Sequence, residues 1–88
     1  LIMARMEVDF RAELYYGSDI EIRTYLSRLG NSSFTVTQEA WQEGKLTNVG
    51  HAVLVQFDHQ AKRAVPIEGA LREALEAHLQ PFEEPVGA

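Results

Sequence analysis

Residues 2–14 read IMARMEVDFRAEL, and every even-numbered position of this stretch is apolar. From Arg5 to Glu13 every odd-numbered position is charged. Because the side chains of a β-strand point alternately to its two faces, this period of two predicts a long strand with one face buried and the other in water. The stretch therefore predicts a sheet that is apolar on one side.

Three further strands are predicted downstream, and the connections between them are short. The strands cover residues 20–27, 32–41 and 46–57. Parallel neighbours would need crossover connections of about a dozen residues, so the sheet is predicted to be antiparallel. Apolar residues on both faces of the last strand predict that it lies centrally and is covered on both sides. Gly50 within it is expected to mark a bulge or a close backbone approach.

An amphipathic helix is predicted near the C-terminus, where apolar residues recur at helical spacing. These residues are Ile67, Leu71, Leu75 and Leu79. The helix is expected to run for about 12 residues, roughly 18 Å, and Pro81 is expected to stop it. We assign residues 1–80 to one domain and residues 81–88 to a flexible tail. The predicted fold class is α+β, an antiparallel sheet with a C-terminal helix.

Composition excludes several classes of protein. The 88 residues carry 13 acidic and 8 basic side chains, a net charge of −5, and the cations are scattered, which argues against a nucleic-acid partner. No apolar run approaches the roughly 20 residues that cross a membrane, so no membrane partner is predicted. The chain has no cysteine, and its three histidines match no metal-ligand spacing, so neither a metal nor a cofactor is expected. We predict a soluble, cytoplasmic protein.

The predicted sheet is larger than the cover that the predicted helix offers. Strands of this length make a sheet roughly 30 to 40 Å long, and one helix of 18 Å leaves much of its apolar face open. Soluble monomers avoid apolar patches of that size. A second subunit or residues missing from the chain must therefore supply the cover. The sequence begins at Leu1 inside the predicted strand, which favours missing residues.

Several pieces of the sequence occur in an order that resembles one known family. They are DF at 9–10 followed by GSD at 17–19, the strand IEIRT at 20–24, the corner LGNSSF at 29–34, and VPI at 65–67 before LREAL at 71–75. Together they are similar to the C-terminal part of hotdog-fold acyl-CoA thioesterases of the 4-hydroxybenzoyl-CoA thioesterase-like group. The resemblance spans nearly all of the chain.

This resemblance implies an antiparallel sheet that wraps a long central helix, with two subunits joining their sheets and building active sites between them. In that family the first strand, the central helix and the catalytic carboxylate precede the segment similar to this chain. The N-terminal strand and the central helix are therefore expected to be missing, and the catalytic residues are unknown. The implied activity of the parent protein is hydrolysis of a small or medium acyl-CoA by a homodimer or homotetramer. The 88-residue chain alone is expected to be inactive.

The resemblance also points to a binding site at the corner, the connection after the second strand. Its candidate coenzyme A-binding residues are Arg28, Gly30, Asn31, Ser32 and Ser33. In one interpretation, the backbone N–H groups and hydroxyls of the corner bind phosphate oxygens. In the other, the corner is a hairpin connection built from turn-forming residues and binds nothing. Asp9, the candidate substitute for the missing acid, is expected to be solvated or ion-paired. A non-catalytic oligomeric module that binds a ligand or assembles with itself remains the alternative function.

Overall fold

The computed structural model describes residues 1–84. In this part of the chain it contains four long strands, two short strands and one helix. They are β1 (Ile2–Phe10), β2 (Ile20–Leu29), β3 (Ser33–Gln42), β4 (Lys45–Val55), β5 (Phe57–Asp58), β6 (Arg63–Ala64) and α1 (Gly69–Ala77). No helix in residues 1–84 is both long enough and apolar enough to cross a membrane.

The four long strands form one antiparallel sheet in the order β1-β4-β3-β2. This confirms the antiparallel prediction and the central position of β4. Residues paired across the sheet share a face, and two neighbouring rows show how the faces differ. One row reads Met6, Ala52, Val36, Leu26, and the next reads Glu7, His51, Thr37, Tyr25. We call the side of the first row the apolar face and the side of the second row the polar face.

Strand β1 follows the predicted alternation but not the predicted burial or length. It ends at Phe10, because the N–H groups of Arg11 and Ala12 both donate to the Thr47 carbonyl, at 2.8 and 3.1 Å, and the regular ladder stops there. All nine of its residues are exposed. The prediction of one buried face is wrong for the described chain, since β1 is an edge strand and nothing in residues 1–84 covers its apolar side.

The bulges lie elsewhere than predicted. Gly50 pairs regularly with Val8 and Gln38, and a Cβ placed on it would lie 3.7 Å from the Glu7 carbonyl oxygen, an ordinary contact. The prediction of a bulge or close approach at Gly50 is therefore wrong. Register shifts occur instead between Met3 and Arg5, between Leu26 and Arg28, and between Ala40 and Trp41.

The C-terminal third of the chain departs from prediction at two points. β4 ends at Val55, and Phe57–Asp58 pairs with Arg63–Ala64 as a separate two-stranded ribbon. Helix α1 has nine residues, shorter than expected, because the chain leaves it to join the edge of β2. There Leu79 forms a parallel bridge with Leu26, whose carbonyl accepts from the N–H of Gln80 at 2.8 Å.

The described chain is a slab whose apolar face is open along β1 and the first half of β2. Its radius of gyration is 15.7 Å, against about 12 Å for a compact domain of this length. Met6 and Phe10 on the apolar face are 62% and 79% exposed. Leu26, on the same face of β2, is only 8% exposed, whereas helix α1 contacts β2 and leaves the apolar side of β1 bare, as its length predicts.

Candidate functional site

The corner between β2 and β3 is a tight connection held by the rest of the chain. The N–H of Gly30 donates to the Ser33 carbonyl at 2.7 Å and closes the hairpin. Three successive carbonyls then accept from later residues: Gly30 O from Arg72 Nη1 at 3.1 Å, Asn31 O from Ile67 N at 2.8 Å, and Ser32 O from Gln56 N at 2.8 Å. The acceptors of the corner are thus engaged within the protein.

Two backbone N–H donors of the corner, unlike its carbonyl acceptors, have no backbone partner within residues 1–84. Within residues 1–84, the backbone N–H groups of Asn31 and Ser32 have no backbone acceptor. The hydroxyls of Ser32 and Ser33 lie beside them in the sequence. Successive N–H groups with neighbouring hydroxyls suit an anion such as a phosphate oxygen. The structure therefore brings four of the five predicted residues, Gly30 to Ser33, together in one pinned connection.

The fifth predicted residue, Arg28, faces the polar side of the sheet. The shift between Leu26 and Arg28 makes Arg28 the partner of Thr35 on that face. There it lines a groove of about 320 Å³, which we call the arginine groove. Its lining includes Arg5, Ser27, Arg28, His51, Val53 and Phe82.

A chain of hydrogen bonds runs beside the arginine groove. Thr37, with no exposed surface, donates from Oγ1 to Ser27 Oγ at 2.6 Å and lies 2.7 Å from His51 Nδ1. With the Thr37 proton directed to Ser27, the Nδ1–H of His51 is the donor to Thr37, and this assignment of protons fixes the tautomer of the ring. His51 therefore packs in the central strand as a bonded group.

A second polar cluster lies on the same face, toward the other end of the sheet. The carboxylate of Glu39, only 7% exposed, accepts from the Tyr25 hydroxyl and from Trp41 Nε1, the latter at 2.7 Å. Burial, followed by the bond to Glu39, raises the pKa of Tyr25 above its ordinary value. Arg23 stacks over Trp41, with its guanidinium carbon 4.7 Å from the ring centroid. These groups line a groove of about 640 Å³.

The C-terminal segment, residues 79–84, closes over the polar face. The Phe82 ring meets His51 edge-on with centroids 5.3 Å apart. Arg11 binds Glu84 through two nitrogens, with Nη2 2.7 Å from Oε1. Hydrogen bonding to Arg11 lowers the pKa of Glu84, and the bond to Glu84 raises the pKa of Arg11. Residues 81–84 of the tail predicted at 81–88 thus make contacts, and residues 85–88 lie outside the described part.

Asp9 and a second carboxylate, Asp58, are engaged in local structure. Asp9 Oδ2 accepts from Arg11 Nε at 2.7 Å, so Asp9 is ion-paired as expected. Asp58 accepts from the N–H groups of Gln60 and Ala61 at 2.9 and 3.1 Å, which stabilises a turn. Within residues 1–84 no three His, Asp or Glu side chains are placed to hold a metal ion.

Sequence reasoning did not find the two polar clusters. Alternation places Thr37, Glu39 and Tyr25 on the polar side of their strands, and that signal was present. The pairing that joins them to His51 depends on the register between strands, which alternation alone does not give. Phe82 was not predicted to contact the sheet, because it lies in residues 81–88, which were assigned to a flexible tail.

Comparison with known proteins agrees with this architecture. Residues 1–75 match the model of the thioesterase-like superfamily. The chain is 34% identical to the structure of a predicted thioesterase from Bacillus stearothermophilus, with a TM-score of 0.78, over 93% of this chain and 62% of that one. It is 29% identical to a thioesterase from Thermus thermophilus in complex with coenzyme A and zinc, with a TM-score of 0.71, over 86% of this chain and 56% of that one. No curated protein matches the chain.

The architecture is that of a hotdog-fold thioesterase, an α+β fold with an antiparallel sheet and a C-terminal helix. The chain belongs to the thioesterase-like superfamily. It spans about 60% of the length of the solved structures to which it is similar.

Proposed function

We propose that the protein hydrolyses the thioester of a small or medium acyl-CoA. Membership of the thioesterase-like superfamily supports thioester hydrolysis. The similar thioesterase from Thermus thermophilus was solved with coenzyme A, which supports this class of substrate. The proposal includes no cofactor, and the cytoplasmic location stays a prediction.

The corner between β2 and β3 is the proposed binding site for coenzyme A. Its carbonyls are held by Arg72, Ile67 and Gln56. The N–H groups of Asn31 and Ser32, which have no backbone acceptor within residues 1–84, therefore keep a fixed position. Donors that are already in place bind an anion without the entropic cost of ordering a loop. We therefore assign Gly30, Asn31, Ser32 and Ser33 to the phosphate groups of coenzyme A, whereas Arg28, the fifth predicted residue, faces the arginine groove.

The catalytic group is proposed to lie outside the described residues. Thioester hydrolysis needs a carboxylate that acts as nucleophile or general base. Asp9 is paired with Arg11, and the buried Glu39 accepts from Tyr25 and Trp41, so both carboxylates are already engaged. We expect the 88-residue chain on its own to show no acyl-CoA hydrolysis.

A homodimer or homotetramer is part of the proposal. Within residues 1–84 the apolar face is exposed along β1 and the first half of β2, and the outer edge of β1 pairs with no strand there. Exposed apolar faces and open strand edges are both stabilised by association.

Calorimetric titration of the full-length protein with coenzyme A, beside hydrolysis assays on acyl-CoAs of increasing chain length, tests the proposal. The double variant Ser32→Ala, Ser33→Ala should weaken coenzyme A binding by about fivefold, the effect of losing about 1 kcal/mol of hydrogen bonding. Ser18→Ala is the matched control, because its hydroxyl bonds Glu43 in a different connection. Equal binding by both variants would show that the corner does not hold the phosphates.

One observation favours a second function, a non-catalytic module that binds a ligand or assembles with itself. Large apolar side chains such as Phe10 and Ile22 are 79% and 54% exposed, a surface suited to self-association. This alternative predicts a stable oligomer that neither binds coenzyme A nor hydrolyses acyl-CoA. Light scattering beside the same titration separates the two functions.

A further inference from the structure

We propose that the arginine groove binds a phosphomonoester group carried by a small organic molecule. The groove lies over one cross-strand row of the polar face, which reads Arg5, Val53, Thr35, Arg28. The two arginines stand on the two edge strands, with Cα atoms about 14 Å apart from the usual spacing of strands. Their side chains therefore flank the two middle residues of the row.

Two register shifts border this row. One lies between Met3 and Arg5, opposite Val53, and the other between Leu26 and Arg28, opposite Thr35. Regular alternation through Ser27 would turn Arg28 to the apolar face. The extra residue places Ser27 and Arg28 together opposite Thr35, as a β-bulge does when it re-aims a side chain. The backbone irregularity thus delivers a guanidinium and a hydroxyl to the groove.

Arg28, unlike most arginines of the described chain, forms no ion pair with a carboxylate. Those that pair with a carboxylate in residues 1–84 are Arg5, Arg11, Arg23 and Arg72. Arg28 forms no ion pair within that range. Guanidinium groups bind phosphate oxygens through two parallel N–H donors, so Arg28 offers an unused anion-binding group.

Arg5 is the second proposed ligand, and Glu7 is its present partner. Arg5 Nη2 lies 2.5 Å from Glu7 Oε1, with both side chains more than half exposed. Exposed ion pairs contribute little to stability, so a phosphate dianion held also by Arg28 can replace Glu7 at Arg5. Glu7 thus acts as a competitor inside the groove.

The rest of the groove favours an organic phosphate over the free ion. As a donor, the Ser27 hydroxyl has within residues 1–84 only a long 3.4 Å contact with the Thr35 carbonyl, so it can turn to a phosphate oxygen. Phe82 and Val53 supply an aromatic ring and an apolar side chain in the same lining. A phosphomonoester with an apolar or aromatic body matches these surfaces.

The experiment follows the arginine Nε–H signals of the full-length protein by NMR during titration with phenyl phosphate, and separately with inorganic phosphate. The Arg5 and Arg28 signals should shift and saturate together, with tighter binding of phenyl phosphate. Arg28→Gln should weaken binding by about tenfold, the loss of one charge-assisted interaction. Glu7→Gln should strengthen binding, because it removes the competing carboxylate.

Two matched controls separate the groove from general charge effects. Arg63 also forms no ion pair within residues 1–84 and lies on β6, so Arg63→Gln removes the same charge outside the groove. Glu73 lies on α1, so Glu73→Gln controls for Glu7→Gln. Equal effects of Arg28→Gln and Arg63→Gln, or no saturable shift at Arg28, would overturn the proposal. Equal binding of inorganic phosphate would overturn the part given to Phe82 and Val53.

Further arms identify the source of the group. Shifts at Arg28 with coenzyme A but not with dephospho-coenzyme A would identify the 3′-phosphate of coenzyme A as the ligand. Binding of phenyl phosphate that persists at saturating coenzyme A would identify a separate molecule. The coenzyme A arm rests on the proposed function, whereas the phenyl phosphate arm does not, so failure of one is distinguishable from failure of the other.

Discussion

The two faces of the sheet are treated in opposite ways by the rest of the chain. On the polar face Val49 and Thr37 are 1% and 0% exposed, and Phe82 of the C-terminal segment packs against the neighbouring His51. On the apolar face Met6 and Phe10 remain mostly exposed. Domains usually bury the apolar side of a sheet first. The described residues cover mainly the polar face. Further structure is therefore needed over the apolar face.

The largest expected effect is on the free energy of unfolding, when the same Val→Ala substitution is made on each face of the sheet. Val49→Ala removes buried methyl groups and leaves a cavity, so it should lower the free energy of unfolding by about 2 kcal/mol. Val8→Ala, on the apolar face of the neighbouring strand, should cost about half of that or less, because Val8 is 48% exposed. Denaturant unfolding of the two variants measures the difference.

The same pair of variants can also show whether the apolar face is covered in solution. An equal loss of stability for Val8→Ala would show that another part of the protein or a second copy covers the apolar face in solution. Repeating the measurement over a range of protein concentrations distinguishes these covers, since only association depends on concentration.

A smaller effect is expected from removing a hydroxyl on each face. Thr37→Val keeps the shape of the side chain but leaves Ser27 and His51 without their partner, so it should cost about 1 to 2 kcal/mol. Thr24→Val is the control on the apolar face, where the exposed Thr24 hydroxyl accepts only a 3.3 Å bond from Gln38. Thermal unfolding that shifts equally in both variants would contradict a special role for the buried chain of bonds.

The smallest effect concerns the attachment of the C-terminal segment. Because Arg11 lowers the pKa of Glu84 below its ordinary value of 4.5, the attachment should be complete at neutral pH and lost as the pH falls below that value. Glu84→Gln should loosen the contact of residues 82–84 with the sheet at all pH values, and Glu83→Gln should not. The chemical shifts of the His51 ring protons report both changes, because Phe82 packs against that ring. Unchanged shifts in Glu84→Gln would show that other contacts hold Phe82.

Much of the sheet could be predicted from local pattern, because each strand carries its own alternation. Residues 2–10 alternate as β1 does, and the short connections left antiparallel hairpins as the only possibility. The central position of β4 also followed, since Ala52 and Leu54 made both of its faces apolar. The burial of β1 could not be predicted correctly, because it depends on what lies over the strand.

The candidate site was less accessible to prediction, because its geometry comes from distant parts of the chain. The corner was found by resemblance, but its carbonyls are held by residues 56–72, and alternation carries no information on such partners. The placement of Arg28 depends on one extra residue in β2. A bulge has no obligatory residue type, so the sequence through Ser27 and Arg28 reads as an unbroken strand.

The bridge between Leu79 and Leu26 limits what the two edges of the sheet can accept. Gln80 already donates to the Leu26 carbonyl, so a new strand beside β2 has only residues 20–25 free, roughly 20 Å of edge. Within residues 1–84 the outer edge of β1 stays open over all nine of its residues, roughly 30 Å. The described residues therefore leave a short free edge at β2 and a long free edge at β1, and the longer edge can pair with an added strand of full length.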